Sequence, residues 1–295
     1  MDHLQAETAI TADIGVTGDV PAVAPAASEG FYRHRAVVRL THWINALAIL
    51  FLLGSGLNIF NAQPNLYWGR YGSNANPPDH AFFSIGAFNT PDGPRGMTQI
   101  GSWQFDTTGV LGWSKVSGEY TARGWPSGIT IPSFQDLADV RHWHFLFAAV
   151  LAINGLIYLS WSLWRRHLQH DIWPTMADLK AIPRAVLDHL KLKHPRGEAA
   201  KRYNVLQRLA YLGVIALITL MVLTGLTMSP GFDAVFPWLL DIFGGRQSAR
   251  SIHFICAALI VLFVIVHLAE VVLAGPINEV RSMLTGYFVL PREHP

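Results

Sequence analysis

The chain has 295 residues, of which 51% are hydrophobic and only 14% are charged, with a mean hydropathy of +0.28 and a formal net charge of +2. Soluble domains carry about 25% charged residues, so this composition argues against an ordinary water-soluble protein. The single cysteine, Cys256, excludes an internal disulfide framework, a cysteine-ligated iron–sulfur cluster and a covalently attached c-type haem.

The first 30 residues precede any apolar run. They are small and polar, rich in Ala, Pro and Gly, and lack the continuous apolar stretch of a secretory signal. This composition predicts a disordered tail over residues 1–30. Residues 31–290 are predicted to form one membrane domain.

Four apolar blocks approach the ~20 residues that a helix needs to cross the hydrocarbon core of a bilayer. They cover about residues 40–60, 143–164, 205–228 and 252–274. Because the blocks mostly lack polar faces, a soluble all-α core fits them poorly. The predicted fold is an all-α integral membrane protein, built as a bundle of four transmembrane helices.

Two connections between the predicted helices are long. The segment over about residues 61–140 is rich in Gly, Pro, Asn and aromatic residues, which favours an ordered lid or docking surface over an irregular loop resting on headgroups. The connector over about residues 165–204 is basic, and its part from Pro174 to Leu192 has the spacing of a helix lying at the membrane surface. Beside membrane spans, such a basic run indicates topology rather than nucleic-acid binding.

The distribution of positive charge predicts the orientation in the membrane. Four spans place both termini on one side, together with the basic connector. Fifteen of the 22 Lys and Arg residues lie on that side and seven lie on the opposite side. Cytoplasmic loops carry the excess of Lys and Arg, so the termini and the connector are predicted to be cytoplasmic and the segment over 61–140 extracytoplasmic.

The pattern R-x-x-H-(W/F)-x-x-A occurs three times, each time at the start of an apolar block, and its histidines are His42, His144 and His253. The last block contains a further histidine, His267. Ionisable residues inside a span are costly and indicate function by default. Fourteen residues separate His253 from His267, which puts them on nearly one helix face and about 21 Å apart along the axis. This separation suits two metal centres, one near each side of the membrane.

The direction of each span pairs these histidines by depth. His144 and His253 lie near the outer face, whereas His42 and His267 lie near the inner face. Two axial imidazoles on one iron describe a six-coordinate b-type haem, which transfers single electrons. The residues therefore predict two non-covalent haems b with bis-histidine ligation. The alternative is that each histidine only bonds a carbonyl of a neighbouring helix.

Some assignments stay open at this level. Arg39, Arg141 and Arg250 lie one turn outward from a histidine, where each could pair with a haem propionate or extend to lipid headgroups. His142 competes with His144, although the register of the repeat selects His144. No zinc-binding or hydrolase nucleophile motif occurs. The other histidines outside the blocks are predicted to be solvated: His34, His80, His167, His170, His189 and His194.

Five stretches resemble a known family: HWINA in span one, IPSFQDLADVRHWHF entering span two, YNVLQRLAY entering span three, LTGLTMSP closing it, and H-x13-H in span four. Together they resemble the bacterial cytochrome b561 and Ni/Fe-hydrogenase–formate dehydrogenase di-haem cytochrome b superfamily, over about residues 31–290. Within it, the chain is most similar to thiosulfate-reductase-type cytochrome b subunits. His42, His144, His253 and His267 fall at the ligand positions.

The resemblance implies an electron-transfer subunit of the bacterial inner membrane, without catalytic residues of its own. Such a subunit exchanges electrons between the quinone pool and an extracytoplasmic oxidoreductase docked on the outer loop, here of the molybdopterin type. Asn204 and Gln207 match the polar N-x-x-Q of the superfamily near its quinone pocket, although Asn204 could simply cap a helix. The alternatives are a stand-alone b561-like quinone oxidoreductase, or a cytochrome b subunit of a hydrogenase or formate dehydrogenase.

Overall fold

The computed structural model describes residues 30–191 and 203–289. The predicted tail lies outside the described residues except for Gly30, and so do residues 192–202 of the connector, including His194.

Four long helices form the centre of the molecule: α1 (Ala36–Phe60), α2 (Leu137–Trp164), α5 (Val205–Thr227) and α8 (Arg246–Ala274). Each is long and apolar enough to cross a membrane, which confirms the prediction of four long apolar helices. At most 28% of the apolar window of any of these helices is buried inside the protein. So much exposed apolar surface is expected of helices that face lipid.

Three of the spans begin earlier than the apolar blocks predict. α1 begins at Ala36, α2 at Leu137 and α8 at Arg246, rather than at residues 40, 143 and 252. The additional turns carry charged side chains, which a search for apolar runs excludes. At the start of α2 the helix is capped, because the Asp136 carboxylate accepts hydrogen bonds from the amides of the next turn.

One end of the bundle carries both ends of the described chain, and we call it the connector end. There β1 (Gly30–Tyr32) pairs antiparallel with β8 (Tyr287–Val289). The short helices α3 (Met176–Lys180) and α4 (Ile182–Leu190) connect α2 to α5, and α9 (Pro276–Thr285) follows α8. The connector end therefore holds the basic connector and the two-stranded terminal sheet.

The opposite end, the sheet end, carries most of the strands. Here β2 (Asn65–Leu66), β3 (Phe83–Thr90), β4 (Gly93–Ile100) and β5 (Trp103–Asp106) form an antiparallel sheet in that order, and β6 (Gly112–Val116) pairs with β7 (Glu119–Arg123). We call residues 61–136 the β-region. The short helices α6 (Pro230–Val235) and α7 (Pro237–Ile242) lie between α5 and α8. The description all-α therefore holds for the spans but misses the strands of the β-region.

The β-region packs directly on the ends of two spans. Phe60 at the end of α1, Leu66 and Ile85 form a buried cluster, against which Phe254 of α8 packs. The ring centroids of Phe60 and Phe254 are 4.7 Å apart. Burial of aromatic side chains dominates the energetics of such contacts. The β-region is thus anchored next to His253, the neighbour of Phe254 in the chain.

The four spans associate as two pairs. α1 packs along α2, and α5 packs along α8, whereas no comparable backbone packing joins the two pairs among the described residues. The facing sides of the pairs are bridged instead by side chains, and these include the four histidines of the sequence pattern.

Candidate functional site

At the sheet end, α2 and α8 bring two imidazoles next to each other. The ring centroids of His144 and His253 are 6.3 Å apart, and the ring planes meet at 58°. These are the two histidines that the span directions pair near the predicted outer face.

At the connector end, α1 and α8 form a second pair. The ring centroids of His42 and His267 are 6.2 Å apart with an interplanar angle of 61°. Phe263, one turn before His267, stacks on its ring at 5.7 Å. One helix, α8, thus contributes a histidine to both pairs, because His253 and His267 lie on nearly the same helix face.

The separation within each pair fits two axial ligands of one metal ion. A metal–imidazole bond is about 2 Å long and the ring centroid lies roughly 1.2 Å beyond the nitrogen, so two ligands on opposite sides place their centroids about 6.4 Å apart. The centroid distances of 6.2 Å and 6.3 Å in the two pairs are close to this spacing. The described residues contain no group of three or more His, Cys, Asp or Glu side chains that could hold a metal ion. Pairs of imidazoles suit a metal whose other ligands come from a macrocycle.

Glycines leave space beside the sheet-end pair. A Cβ atom added at Gly56 of α1 would lie 3.4 Å from Cε1 of His144, and one added at Gly225 of α5 would lie 3.4 Å from Cε1 of His253. Larger side chains at these two positions would push against the imidazoles. The two glycines therefore let α1 approach the ring of His144 and α5 approach the ring of His253 closely.

The residues that precede these glycines bond the same imidazoles. Ser55 Oγ lies 2.9 Å from Nδ1 of His144, and Thr224 Oγ1 lies 3.1 Å from Nδ1 of His253. Sequence reasoning missed all four residues. Their signal is a short repeat in the last turns of two spans, Ser55-Gly56-Leu57 in α1 and Thr224-Gly225-Leu226 in α5.

Two of the three arginines in the R-x-x-H pattern donate hydrogen bonds to backbone carbonyls of the protein. Arg39 donates from Nη1 to the carbonyl of Leu284 at 2.5 Å, which ties α1 to the end of α9. Arg250 donates to the carbonyls of Asn65, at 2.8 Å, and Gln63. Arg250 therefore holds the start of the β-region, a role that neither the propionate nor the headgroup interpretation includes.

Arg141 differs from the other two. It lies on the surface of α2, and its guanidinium carbon is 5.7 Å from the centroid of the Phe145 ring. His142 next to it is exposed, whereas the ring of His144 faces His253. The geometry thus brings His144, and not His142, to the sheet-end pair.

The prediction that the remaining histidines are solvated is wrong for His34. This residue is only 8% exposed, and its Nδ1 is buried without a hydrogen-bond partner among the described residues. Burial, followed by the nearby charge of Arg33, lowers the pKa of His34 from 6.5 to about 4. The pairing of β1 with β8 encloses the residue, and no local pattern encodes that pairing.

Two other histidines have partners. His167 Nδ1 lies 2.6 Å from an oxygen of Asp171, and His189 Nε2 lies 3.0 Å from an oxygen of Glu270. Both contacts lie at the connector end, since His167 closely follows the end of α2 and His189 belongs to α4. His80 and His170 are exposed, as predicted.

Asn204 and Gln207 form a reciprocal capping box at the start of α5. The backbone N–H of Gln207 donates to Oδ1 of Asn204 at 2.9 Å, and the backbone N–H of Asn204 donates to Oε1 of Gln207 at 3.2 Å. Only the side-chain oxygens take part, so the capping box does not use the N–H donors of either side-chain NH₂ group. Beside them, burial raises the pKa of the Tyr203 phenol, whose ring packs edge-on against Tyr211 at 5.3 Å.

Four apolar spans that hold two facing imidazole pairs define the class of a membrane cytochrome that transfers electrons. The chain belongs to the prokaryotic cytochrome b561 family, whose model matches residues 33–286. This confirms the resemblance drawn from the sequence motifs. Membership implies binding of haem b, and the protein is a cytochrome b561-like electron-transfer subunit of a membrane.

Two curated relatives are subunits of redox complexes by name. The chain is 32% identical over 254 residues, 86% of its length and 96% of the relative, to the "Putative protein-methionine-sulfoxide reductase subunit YedZ1" of Azospira oryzae. It is 25% identical over 162 residues, 50% of its length and 66% of the relative, to the "Probable Ni/Fe-hydrogenase B-type cytochrome subunit" of Cupriavidus necator.

Proposed function

We propose that the protein carries electrons across the bacterial inner membrane between the quinone pool and an extracytoplasmic oxidoreductase, through two haems b. His42 and His267 would hold the inner haem, and His144 and His253 the outer haem. The observation that carries this proposal is the ligand-like spacing of both imidazole pairs. Haem b with two imidazoles supplies one-electron transfer and leaves no coordination position open for a substrate.

The two pairs suit a path through the bilayer. Both include a histidine of α8, and the fourteen-residue spacing separates the pairs by about 21 Å along its axis. That is about two thirds of a hydrocarbon core that is roughly 30 Å thick. One pair therefore lies towards each membrane surface.

The quinone site in this proposal lies at the connector end, beside Asn204 and Gln207. Their capping box occupies the side-chain oxygens and leaves the amide donors, and a quinone carbonyl is a hydrogen-bond acceptor. Helix capping and quinone binding are therefore compatible roles for the same two residues.

The three arginines of the R-x-x-H pattern differ in how well they could bind a haem propionate. Arg141 has no ion-pair partner among the described residues, and Nε of Arg39 is buried without a hydrogen-bond partner there. These two can pair with carboxylates. The two terminal nitrogens of Arg250 are bonded to carbonyls of the β-region, so this residue contributes less to a propionate.

The orientation proposed from the charges places the connector end in the cytoplasm and the β-region outside. A docked oxidoreductase would then contact the β-region, which packs on Phe254, next to the ligand His253. The relative named as a methionine-sulfoxide reductase subunit matches almost over its full length, which supports a reductase as the partner. The resemblance to thiosulfate-reductase-type subunits further favours a partner that contains molybdopterin.

Two other functions have weaker support. The hydrogenase relative matches only 50% of the chain. A stand-alone quinone oxidoreductase would have little need for a folded β-region that is anchored beside the outer pair.

Haem content tests the ligand assignment directly. We expect the purified protein to show b-type absorption bands with close to two haems per chain. His42→Ala and His144→Ala should each remove one haem and leave the other. His142→Ala is the matched control, because this exposed neighbour should be replaceable with both haems retained. Retention of two haems in both ligand variants would contradict the proposal.

The partner is tested by affinity purification from gently solubilised native membranes. We expect an extracytoplasmic oxidoreductase subunit that contains molybdenum to copurify with the chain. A chain that purifies alone, and that passes electrons from quinol to a small soluble acceptor without any added subunit, would favour the stand-alone oxidoreductase instead.

A further inference from the structure

The two imidazole pairs differ in what their outer nitrogens contact. At the sheet end, Nδ1 of each histidine meets a hydroxyl, that of Ser55 at 2.9 Å and that of Thr224 at 3.1 Å. Both hydroxyl residues are fully buried, at 1% and 0% exposure. Water is therefore excluded from these contacts. Each ring also bonds one helix carbonyl, that of Leu52 for His144 and that of Met221 for His253.

The helix backbone fixes the direction of both hydrogen bonds. Ser55 Oγ donates to the carbonyl of Phe51 at 2.6 Å, and Thr224 Oγ1 donates to the carbonyl of Leu220 at 2.7 Å. A hydroxyl has one hydrogen, so towards the imidazole it acts as an acceptor. Nδ1 of each ring therefore carries the proton. Nε2 keeps its lone pair, which is the state that a metal ligand requires.

The connector-end pair lacks this arrangement. Nδ1 of His42 is buried without a hydrogen-bond partner among the described residues. The neighbouring hydroxyl of Thr41 bonds the carbonyls of Val37 and Val38 and not the ring. In the described part of the chain, His267 contacts other rings but forms no hydrogen bond.

We propose that Ser55 and Thr224 are positioning residues that lower the reduction potential of the haem held by His144 and His253. An acceptor on Nδ1–H makes the imidazole a more basic ligand. A more basic axial ligand stabilises the ferric ion, so addition of one electron to give the ferrous ion becomes less favourable. The same device approaches from α1 and from α5, so both axial ligands of this haem are affected. The inference rests on the proposed function, because it requires a haem at each pair.

Redox titration followed by the haem absorption bands measures this effect. The wild-type protein should titrate as two one-electron components. Ser55→Ala and Thr224→Val should each shift one component to a more positive midpoint potential, and the double variant should shift it further. The second component should not move. Titrating Ser55→Ala in the His42→Ala background, which keeps only the sheet-end haem, identifies the component that shifts.

Thr41→Val is the matched control, because it removes a hydroxyl that bonds helix carbonyls beside a ligand but does not bond the ring. It should leave both midpoints unchanged. Ser55→Thr retains the acceptor and should keep the wild-type value. Since a freed ring can also rotate, the low-spin ferric EPR signal of the affected haem should change in Ser55→Ala and not in Thr41→Val.

The outcomes separate the two proposals. Unchanged midpoints in Ser55→Ala and Thr224→Val, with both haems present, would overturn the inference and leave the proposed function intact. A wild-type protein without two haems would instead contradict the proposed function. If Ser55→Ala loses the haem, two other variants provide the same test: Ser55→Cys, whose thiol is a weaker acceptor, and Thr224→Val, which conserves the shape of the side chain. Each should raise the midpoint potential of the sheet-end haem.

Discussion

Asn154 shows how a single polar side chain can join two spans. It lies in α2, is 5% exposed, and donates to the carbonyl of Thr41 at 2.8 Å and to Oδ1 of Asn45 at 2.7 Å. Both acceptors belong to α1, on either side of His42. A hydrogen bond between spans stabilises the bundle by about 1 kcal/mol. Asn154 therefore holds α1 against α2 at the depth of the connector-end pair.

Asn154→Leu should destabilise the protein by about 1–3 kcal/mol, because it removes both hydrogen bonds between the two spans and takes a donor away from Oδ1 of Asn45. We expect a lower thermal unfolding midpoint in detergent and earlier release of the haem near His42. Ile153→Leu, at a neighbouring position that is 59% exposed, is the control and should leave the midpoint unchanged. Equal midpoints for Asn154→Leu and the wild type would contradict this role.

At the residue scale, the sequence determines the pairing of the histidines but not the partners of the arginines. The fixed rise of a helix and the direction of each span give the depth of every histidine, so His42 and His267 can be matched without coordinates. Arg250 bonds carbonyls that lie 185 or more residues away in sequence, and this contact depends on how the β-region folds back. A pattern within one span contains no information about it.

At the scale of elements, the terminal sheet joins the two ends of the described chain and buries His34. The backbone N–H of this residue donates to the carbonyl of Gly286 at 3.2 Å, and Gly286 precedes β8. With a pKa lowered to about 4, the folded protein keeps His34 neutral at a pH where the unfolded chain, with a pKa near 6.5, takes up a proton. Stability contributed by neutral His34 is therefore complete above pH ~6.5 and is lost as the pH falls towards 4.

We expect the thermal unfolding midpoint of the wild type to fall more steeply between pH 7 and pH 5 than that of His34→Gln, which cannot take up this proton. His80→Gln is the control, because His80 is exposed and its replacement should leave the pH dependence as in the wild type. The same decrease for wild type and His34→Gln would refute the assignment.

The spans could be predicted from sequence, whereas the strands could not, and burial explains the difference. A span facing lipid is apolar along its whole length, which gives a strong local signal. All four residues of β5 (Trp103–Asp106) are exposed, so the strand has no alternating pattern of buried and exposed positions. Its existence depends on pairing with β4, a contact between segments that sequence periodicity does not reveal.

At the scale of the whole molecule, the two ends of the helix bundle differ from each other. The imidazole pairs bridge α1 and α2 to α8, and Ser55 and Thr224 add matching contacts from α1 and α5 at the sheet end only. The β-region covers that same end. The sheet-end haem would therefore differ from its counterpart both in the hydrogen bonds to its ligands and in the protein that covers it.

The orientation of this assembly in the membrane can be mapped with single cysteines. Cys256 is the one native cysteine and is only 3% exposed, so it should not react with a bulky reagent. Glu119 lies exposed at the start of β7 at the sheet end, and the side chain of Arg184 in α4 is 90% exposed at the connector end. The excess of Lys and Arg at the connector end predicts that this end lies in the cytoplasm.

We therefore expect Glu119→Cys to react with a membrane-impermeant maleimide in intact spheroplasts, and Arg184→Cys to react only after lysis. The unmodified protein, with Cys256 alone, is the control for background labelling and should stay unlabelled in both preparations. Labelling of Arg184→Cys but not Glu119→Cys in intact spheroplasts would reverse the orientation. The β-region would then face the cytoplasm, and an extracytoplasmic partner could not dock on it.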